Sequence, residues 1–209
     1  MLGLLGGTGP EGKGLGLRFA LAGERVMFGS RQRHRAKAAA EELGCGAIGG
    51  LNSEVAAKSD PVFVTTPYHG QADTLKPLSD ILSGKIVVVT VAPLKFDPST
   101  VSAIHIDAGS AAEEVQQILP NAKVVAAFQT ISATELLNPH VRIESDVVVC
   151  SDHLDAKKSI MTLAEKIDSI RAVDAGSLAN AHYVEQITAL LLNINRQYKT
   201  HSSIKITGI

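Results

Sequence analysis

The chain opens on a short apolar run, Leu2–Leu5, and a glycine-rich turn, and then places Leu15, Phe19 and Ala22 at helical spacing. Uninterrupted apolar runs of this length mark strands buried on both faces, and a three-to-four spacing marks one face of a helix. The spacing predicts a helix over 13–22 ended by Gly23, a second strand over 26–28, and a second helix, Arg33–Leu43, stopped by Gly44. Residues 46–51 read as a glycine-rich loop, with Asn52 or Ser53 capping a short helix to Lys58. A third strand follows over 61–66, a helical stretch over 71–82 despite Pro77, and an apolar strand over 85–91. Residues 95–109, with Pro98, Ser99, Thr100 and Gly109, read as a long loop. Ser110-Ala-Ala-Glu113 is a capping box opening a helix to Leu119, and a fifth strand spans 123–128. Residues 146–150, 156–167 and 170–174 form a further strand–helix–strand unit before a long final helix over 178–198. This alternation predicts an α/β fold: a Rossmann doubly wound parallel sheet over 1–138, with a small C-terminal α/β extension over 139–209 that closes a cleft.

The first turn carries chemistry. Gly7, Gly9 and Gly12 satisfy G-x-G-x-x-G between a strand and a helix, with Thr8, Pro10 and Glu11 in the intervening positions. The first glycine allows the tight turn, the second lets backbone approach a pyrophosphate, and the third lets helix pack on strand. The pyrophosphate then sits on the free N–H groups of the helix N-terminus. The second strand ends in Gly29-Ser30-Arg31, and no carboxylate lies between Arg25 and Lys37. An NAD site places Asp or Glu here for the ribose hydroxyl; a hydroxyl and guanidiniums suit a 2′-phosphate instead. Ser30, Arg31 and Arg35 therefore point to NADP(H), with Thr8 as a further donor. Ligands bind outside the carboxyl ends of such strands. That adds Thr66, Pro67 and His69, then Val91, Ala92 and Pro93, then Gln129 and Ile131, from three loops converging on one crevice.

Bulk properties narrow the field. Net charge is −1 over 209 residues, so no general basic field recruits nucleic acid. Cys45 and Cys150 belong to no paired motif, which argues against a disulfide framework or a zinc site. The N-terminus lacks a signal peptide's pattern, and no apolar run is long enough for a bilayer; the expectation is a cytoplasmic protein with no membrane partner. The last helix is apolar on a broad face, from Ala181 through Ile194, which must cover the crevice, the rest of the C-terminal part or a second subunit; a homodimer is one expected outcome. No residue is assigned to catalysis and none to a metal.

Leu4-Leu-Gly-Gly-Thr-Gly, Gly29-Ser30-Arg31, Ser110-Ala-Ala-Glu-Glu-Val, Ala127-Phe-Gln-Thr-Ile, Asp174-Ala-Gly and Val184-Glu-x-x-Thr188 resemble, in order, segments of the NADPH:coenzyme F-420 oxidoreductase family. That coenzyme (F420 below) is an 8-hydroxy-5-deazaflavin with a polyanionic tail. The resemblance implies a deazaflavin stacked on the nicotinamide between the two parts of the chain, with direct hydride transfer. It also implies that Gln129, Ile131, His182, Gln186, Thr188 and Leu191 face the second cofactor. The family pattern has His at Gln129, Pro at Ser132, Arg at His182 and Ser at Gln186, so the departures gather on that side. An ordinary flavin (FMN or FAD) in a flavin or ferric reductase is the alternative, and a non-catalytic NADPH-sensing module is a third reading. An imine or pyrroline reductase would need a longer helical C-terminal domain.

Overall fold

Strand and helix alternate along almost the whole computed structural model, which describes residues 1–209. In chain order the elements are β1 (Leu2–Leu5), α1 (Pro10–Leu21), β2 (Val26–Ser30), α2 (Arg33–Leu43), β3 (Ile48–Leu51), α3 (Asn52–Lys58), β4 (Val62–Val64), α4 (Gln71–Leu75), α5 (Ser79–Leu82) and β5 (Ile86–Val89). Then come β6 (Leu94–Phe96), β7 (Val101–Ala103), α6 (Ala111–Ile118), β8 (Lys123–Ala126), α7 (Ala133–Leu136), β9 (Ser145–Val149), α8 (Leu154–Ala164), β10 (Ile170–Asp174) and α9 (Ala181–Tyr198). Six strands form one parallel sheet in the order β3-β2-β1-β4-β5-β8. Strand order reverses between β1 and β4, and the crevice outside their carboxyl ends is the ligand position of an open α/β sheet.

Parallel neighbours require crossovers, and the helices that make them cover both faces. Successive strand residues therefore alternate between two apolar clusters. Leu4, Phe28, Phe63, Val88 and Val125 face one; Leu5, Met27, Val62, Val64, Val87 and Val124 face the other. On the first face Phe19, Phe63 and Phe128 form a triad with ring centroids 5.3, 5.9 and 6.0 Å apart. Such pairs add about 0.5–1.5 kcal/mol each beyond burial.

Four local expectations are corrected. Residues 48–51 are not loop but the edge strand β3. An added Cβ at Gly49 would fall 2.3 Å from the Ala36 carbonyl oxygen, so the glycine lets α2 lie directly on the strand. The helical stretch over 71–82 is broken, because Pro77 has no N–H to give; a 3-10 turn at 76–78 separates α4 from α5. The long loop over 95–109 contains an antiparallel hairpin, β6 with β7. Neither Asn52 nor Ser53 caps α3: the Leu51 N–H is held by the Glu54 carboxylate at 2.8 Å, and Asn52 Oδ1 accepts from the Gly6 N–H at 3.2 Å.

β9 and β10 pair in parallel beneath α8. Their apolar residues Ile143, Val147, Val149 and Ile160 share one cluster with Leu4 and Phe63, so the core runs continuously across residue 138. Ala126 and Cys150 exchange backbone hydrogen bonds of 2.9 and 3.0 Å, which ties β9 to the main sheet.

Candidate functional site

At the end of β1 the chain turns through Gly6, at φ 67°, and the Gly7 N–H donates to Leu4 and Gly29 carbonyls at 3.2 and 3.0 Å. A Cβ on Gly7 would stand 2.7 Å from Leu4 Cβ, and one on Gly12 would stand 2.4 Å from Gly7 Cα. Packing of α1 on β1 and β2 therefore requires both. Gly9 differs: a Cβ there would meet no protein atom within 4 Å. The space above Gly9 is where a ligand can approach backbone. Ser110 and Ser132 cap α6 and α7, accepting from N–H groups at 3.0 and 3.4 Å, whereas α1 has no side-chain cap. The Glu11 and Gly12 N–H groups have no protein partner, the arrangement that holds a phosphate.

Beside this turn β2 delivers Ser30, buried, whose Oγ accepts from the Gln32 N–H at 3.2 Å. Arg31, Arg33, His34 and Arg35 are all exposed. Arg33 is engaged by Glu54 at 2.6 and 2.9 Å, while Arg31 and Arg35 have no acidic partner. The first turn of α2 carries no acidic residue. Cations at a helix N-terminus are unfavourable by a few tenths to 1 kcal/mol each, so the cluster is suited to an anion that sits between them.

A cavity of about 570 Å³ lies between Glu11, in the first turn of α1, and the C-terminal part. Glu11 from α1, Gln129–Ala133 after β8, Phe96 and Val101 from the hairpin, Thr188, Leu191 and Leu192 from α9, and residues 199–202 line it. Its volume lies in the range of cofactor sites. The turn after β8 is fixed by strain: Phe128, fully packed in the aromatic triad, has φ 73°, a left-handed backbone rare for a bulky residue. This brings Gln129 to the cavity wall. Its Nε2 donates to the Val89 carbonyl at 3.0 Å, and its Oε1 is buried without a partner. Thr188 Oγ1 donates to the Gln129 carbonyl at 3.2 Å, joining α9 to the same wall. Arg18, buried, donates to the carbonyls of Glu135, Leu136, Asn138 and Val141 and so fastens the wall to α1.

Among the residues expected at the second cofactor, Gln129, Ile131, Thr188 and Leu191 line the cavity, and so does Glu11. His182 and Gln186 do not. At 3.6 residues per turn they lie about 120° and 200° around α9 from Thr188. Gln186 is exposed; His182 sits 2.6 Å from the Ala179 carbonyl with its ring 3.7 Å from that of Tyr183. Thr66, Pro67, His69, Val91, Ala92 and Pro93 follow β4 and β5 along the crevice but outside the cavity wall. Sequence reading missed Arg196, Lys199 and His201, which line the cavity near its C-terminal side. His201 Nδ1 lies 3.2 Å from Ser132 Oγ. Nothing local in their sequence marks them; the left-handed C-cap at Lys199 turns the chain back over the opening.

The residues present fit both groups implied by the resemblance. The uncapped α1 and the open space at Gly9 suit a dinucleotide, and Ile131, Leu191 and Thr188 offer walls for a flat ring. No cluster of three or more His, Cys, Asp or Glu is placed to hold a metal.

Comparison with known proteins points the same way. Residues 1–93 match the family model described as NADP oxidoreductase, coenzyme F420-dependent. The chain is 38% identical to an F420-dependent NADP reductase of Methanothermobacter thermautotrophicus, over 99% of this chain and 94% of that protein. It is 36% identical to the F420-dependent NADP reductase of Methanocaldococcus jannaschii, over 99% and 97%. A crystal structure of a putative F420-dependent NADP-reductase from Arthrobacter sp. FB24 superposes with a TM-score of 0.86 at 23% identity, over 99% of both chains.

Proposed function

The chain belongs to the F420-dependent NADP reductase family, and from that premise we propose how its cleft is used. The enzyme transfers a hydride between NADP(H) and coenzyme F420. When bound, the two cofactors supply the hydride donor and acceptor; the protein supplies position, a dry contact and charge. The observation that carries the reading is the cavity that Glu11 of α1 lines together with Thr188, Leu191 and Leu192 of α9.

In this reading the first turn of α1 and Gly7–Gly12 hold the pyrophosphate, and Ser30, Arg31 and Arg35 hold the 2′-phosphate, with Thr8 beside them. Arg31 and Arg35 are suited because neither is engaged by a carboxylate. Thr66, Pro67, His69, Val91, Ala92 and Pro93 form the wall on the nicotinamide side. Ile131, Thr188 and Leu191 would flank the second ring and exclude water from it. Gln129 presents an acceptor to the ring, through an Oε1 that no protein group satisfies. Arg196 and Lys199 supply positive charge for the anionic tail, with His201 beside them on the cavity wall. The C-terminal part, from about residue 139, forms the far wall.

We also propose a cytoplasmic homodimer. Both cysteines are free, as in a reducing compartment. No helix is long and apolar enough to cross a membrane. Tyr183, Ile187, Leu190, Ile194 and Tyr198 make one outward stripe on α9, in which Tyr183, Leu190 and Tyr198 are well exposed. Two copies of such a stripe can cover each other.

NADPH oxidation by the purified protein, with F420, FMN and FAD offered separately, tests the function. Rapid bleaching of F420 alone is expected. Turnover only with FMN or FAD overturns the choice of second cofactor. NADPH binding without turnover of any acceptor overturns the enzymatic reading.

A further inference from the structure

Glu11 stands in the first turn of α1, between Gly9 and Gly12, where the dinucleotide is placed above. Its side chain reaches the cavity wall. The residue keeps partial exposure, but its Oε1 is buried and has no hydrogen-bond partner. An ionised carboxylate in that position would leave a charge unmatched, and would face a pyrophosphate of the same sign.

The charged neighbours do not relieve this. On α1 itself, Lys13 is engaged by Glu42 and Arg18 by four backbone carbonyls. On α7, Glu135 carries the same sign. Across the cavity stand Arg196, Lys199 and His201. None of these groups contributes to the carboxyl's acidity, and burial by itself pushes Glu11 up to about 8.

We propose that Glu11 enters the complex as an uncharged carboxylic acid that donates a hydrogen bond to the dinucleotide, so that NADPH binding retains one proton on the enzyme. The proposal rests on the reading that NADPH occupies the glycine turn. It makes Glu11 a binding and positioning residue whose neutral form is the competent one. A dinucleotide that binds only the protonated fraction has its apparent affinity reduced by that fraction. With the carboxyl at about 8, apparent affinity falls about 25-fold between pH 7.5 and 9.5.

The test is equilibrium titration of NADPH fluorescence against pH for the wild-type protein and Glu11→Gln, which keeps the shape and a donor but cannot ionise. The expected result is a wild-type affinity that drops with unit slope above about pH 8, and a Glu11→Gln affinity flat within about twofold. Parallel curves overturn the proposal. So does a folded Glu11→Gln that binds at no pH, because a charge would then be required. Calorimetry of the wild-type protein at pH 8.5, in two buffers of different ionisation enthalpy, needs no variant. Uptake of more than about half a proton per NADPH is expected, and no uptake overturns the proposal. A wild-type protein that binds no NADPH at any pH overturns instead the cofactor assignment beneath it.

Discussion

The two sides of the cleft are made of different materials. The side at Gly7–Gly12 and Ser30–Arg35 is backbone, helix dipole and exposed guanidinium. The side at Gln129–Ile131, α9 and residues 199–202 is side chain, held by contacts from distant parts of the chain. Backbone recognition needs a fixed local geometry, so it is written as glycine at fixed spacing. Side-chain recognition needs only that some residue face the cavity, and many sequences meet that need. The first side therefore tolerates few substitutions, and the second admits more.

Glycine substitutions break the comparison most severely. Gly12→Val is expected to cost at least about 3 kcal/mol, because its side chain must displace Gly7 backbone rather than a flexible neighbour. Gly9→Val, whose Cβ meets no protein atom within 4 Å, is expected to keep stability within about 1 kcal/mol and to weaken NADPH binding at least about a hundredfold. Urea midpoints and NADPH titrations separate the two. Equal loss of stability in both variants would erase the distinction between packing and ligand-facing glycine.

The next effect belongs to the fastening of the far side. The Glu185 carboxylate, on α9, accepts from the Ala111 and Ala112 N–H groups at 2.8 and 3.2 Å. Burial pushes it up to about 7, against an ordinary value of 4.5. The folded state thus holds this proton more tightly than the unfolded chain. The contribution of Glu185 to stability is fully present below pH 4.5 and is lost as pH rises through 7, by about 2 kcal/mol between pH 5 and 7.5. Melting temperatures of the wild type should decline over that window, and those of Glu185→Gln should decline less.

Smaller effects sharpen the division of labour. Arg31→Ala is expected to raise the KM for NADPH about tenfold or more and that for NADH little, which is the signature of a 2′-phosphate contact. Equal changes for both nucleotides would remove Arg31 from that role. Lys199→Ala combined with Arg196→Ala is expected to raise the KM for F420 about three- to fivefold, to weaken its salt dependence, and to leave the NADPH dissociation constant in place. A shift confined to NADPH would put the basic rim on the wrong cofactor.

Much of the first side was legible because its causes are local. Gly7, Gly9 and Gly12, the missing carboxylate after β2, and the apolar runs of β1, β4 and β5 each carry their reason within a few residues. The second side was legible only in part. Thr188 and Leu191 line the cavity, whereas Gln186, two residues from Thr188, lies on the opposite side of the helix. The hairpin at 94–103 was read as loop because its strands are three residues long and mostly exposed. What holds it is Asn193, whose side chain exchanges two hydrogen bonds of 2.8 Å with Val101 backbone. Arg18 gave no local sign that its guanidinium would bind four carbonyls more than a hundred residues away.

By itself the sequence determined the alternation of strand and helix, the glycine turn between β1 and α1, and NADP as the dinucleotide. Those depend on steric limits at single residues and on apolar periodicity, and both act over one turn or one strand. Only the tertiary structure decided which face of α9 meets the cavity, that Arg33 is engaged by Glu54 while Arg31 is not, and that residues 199–202 fold back beside Ser132. Those are set by which buried groups find partners across the chain. The same is true of Glu11: its position comes from a motif, but its isolation from every partner comes from the fold around it.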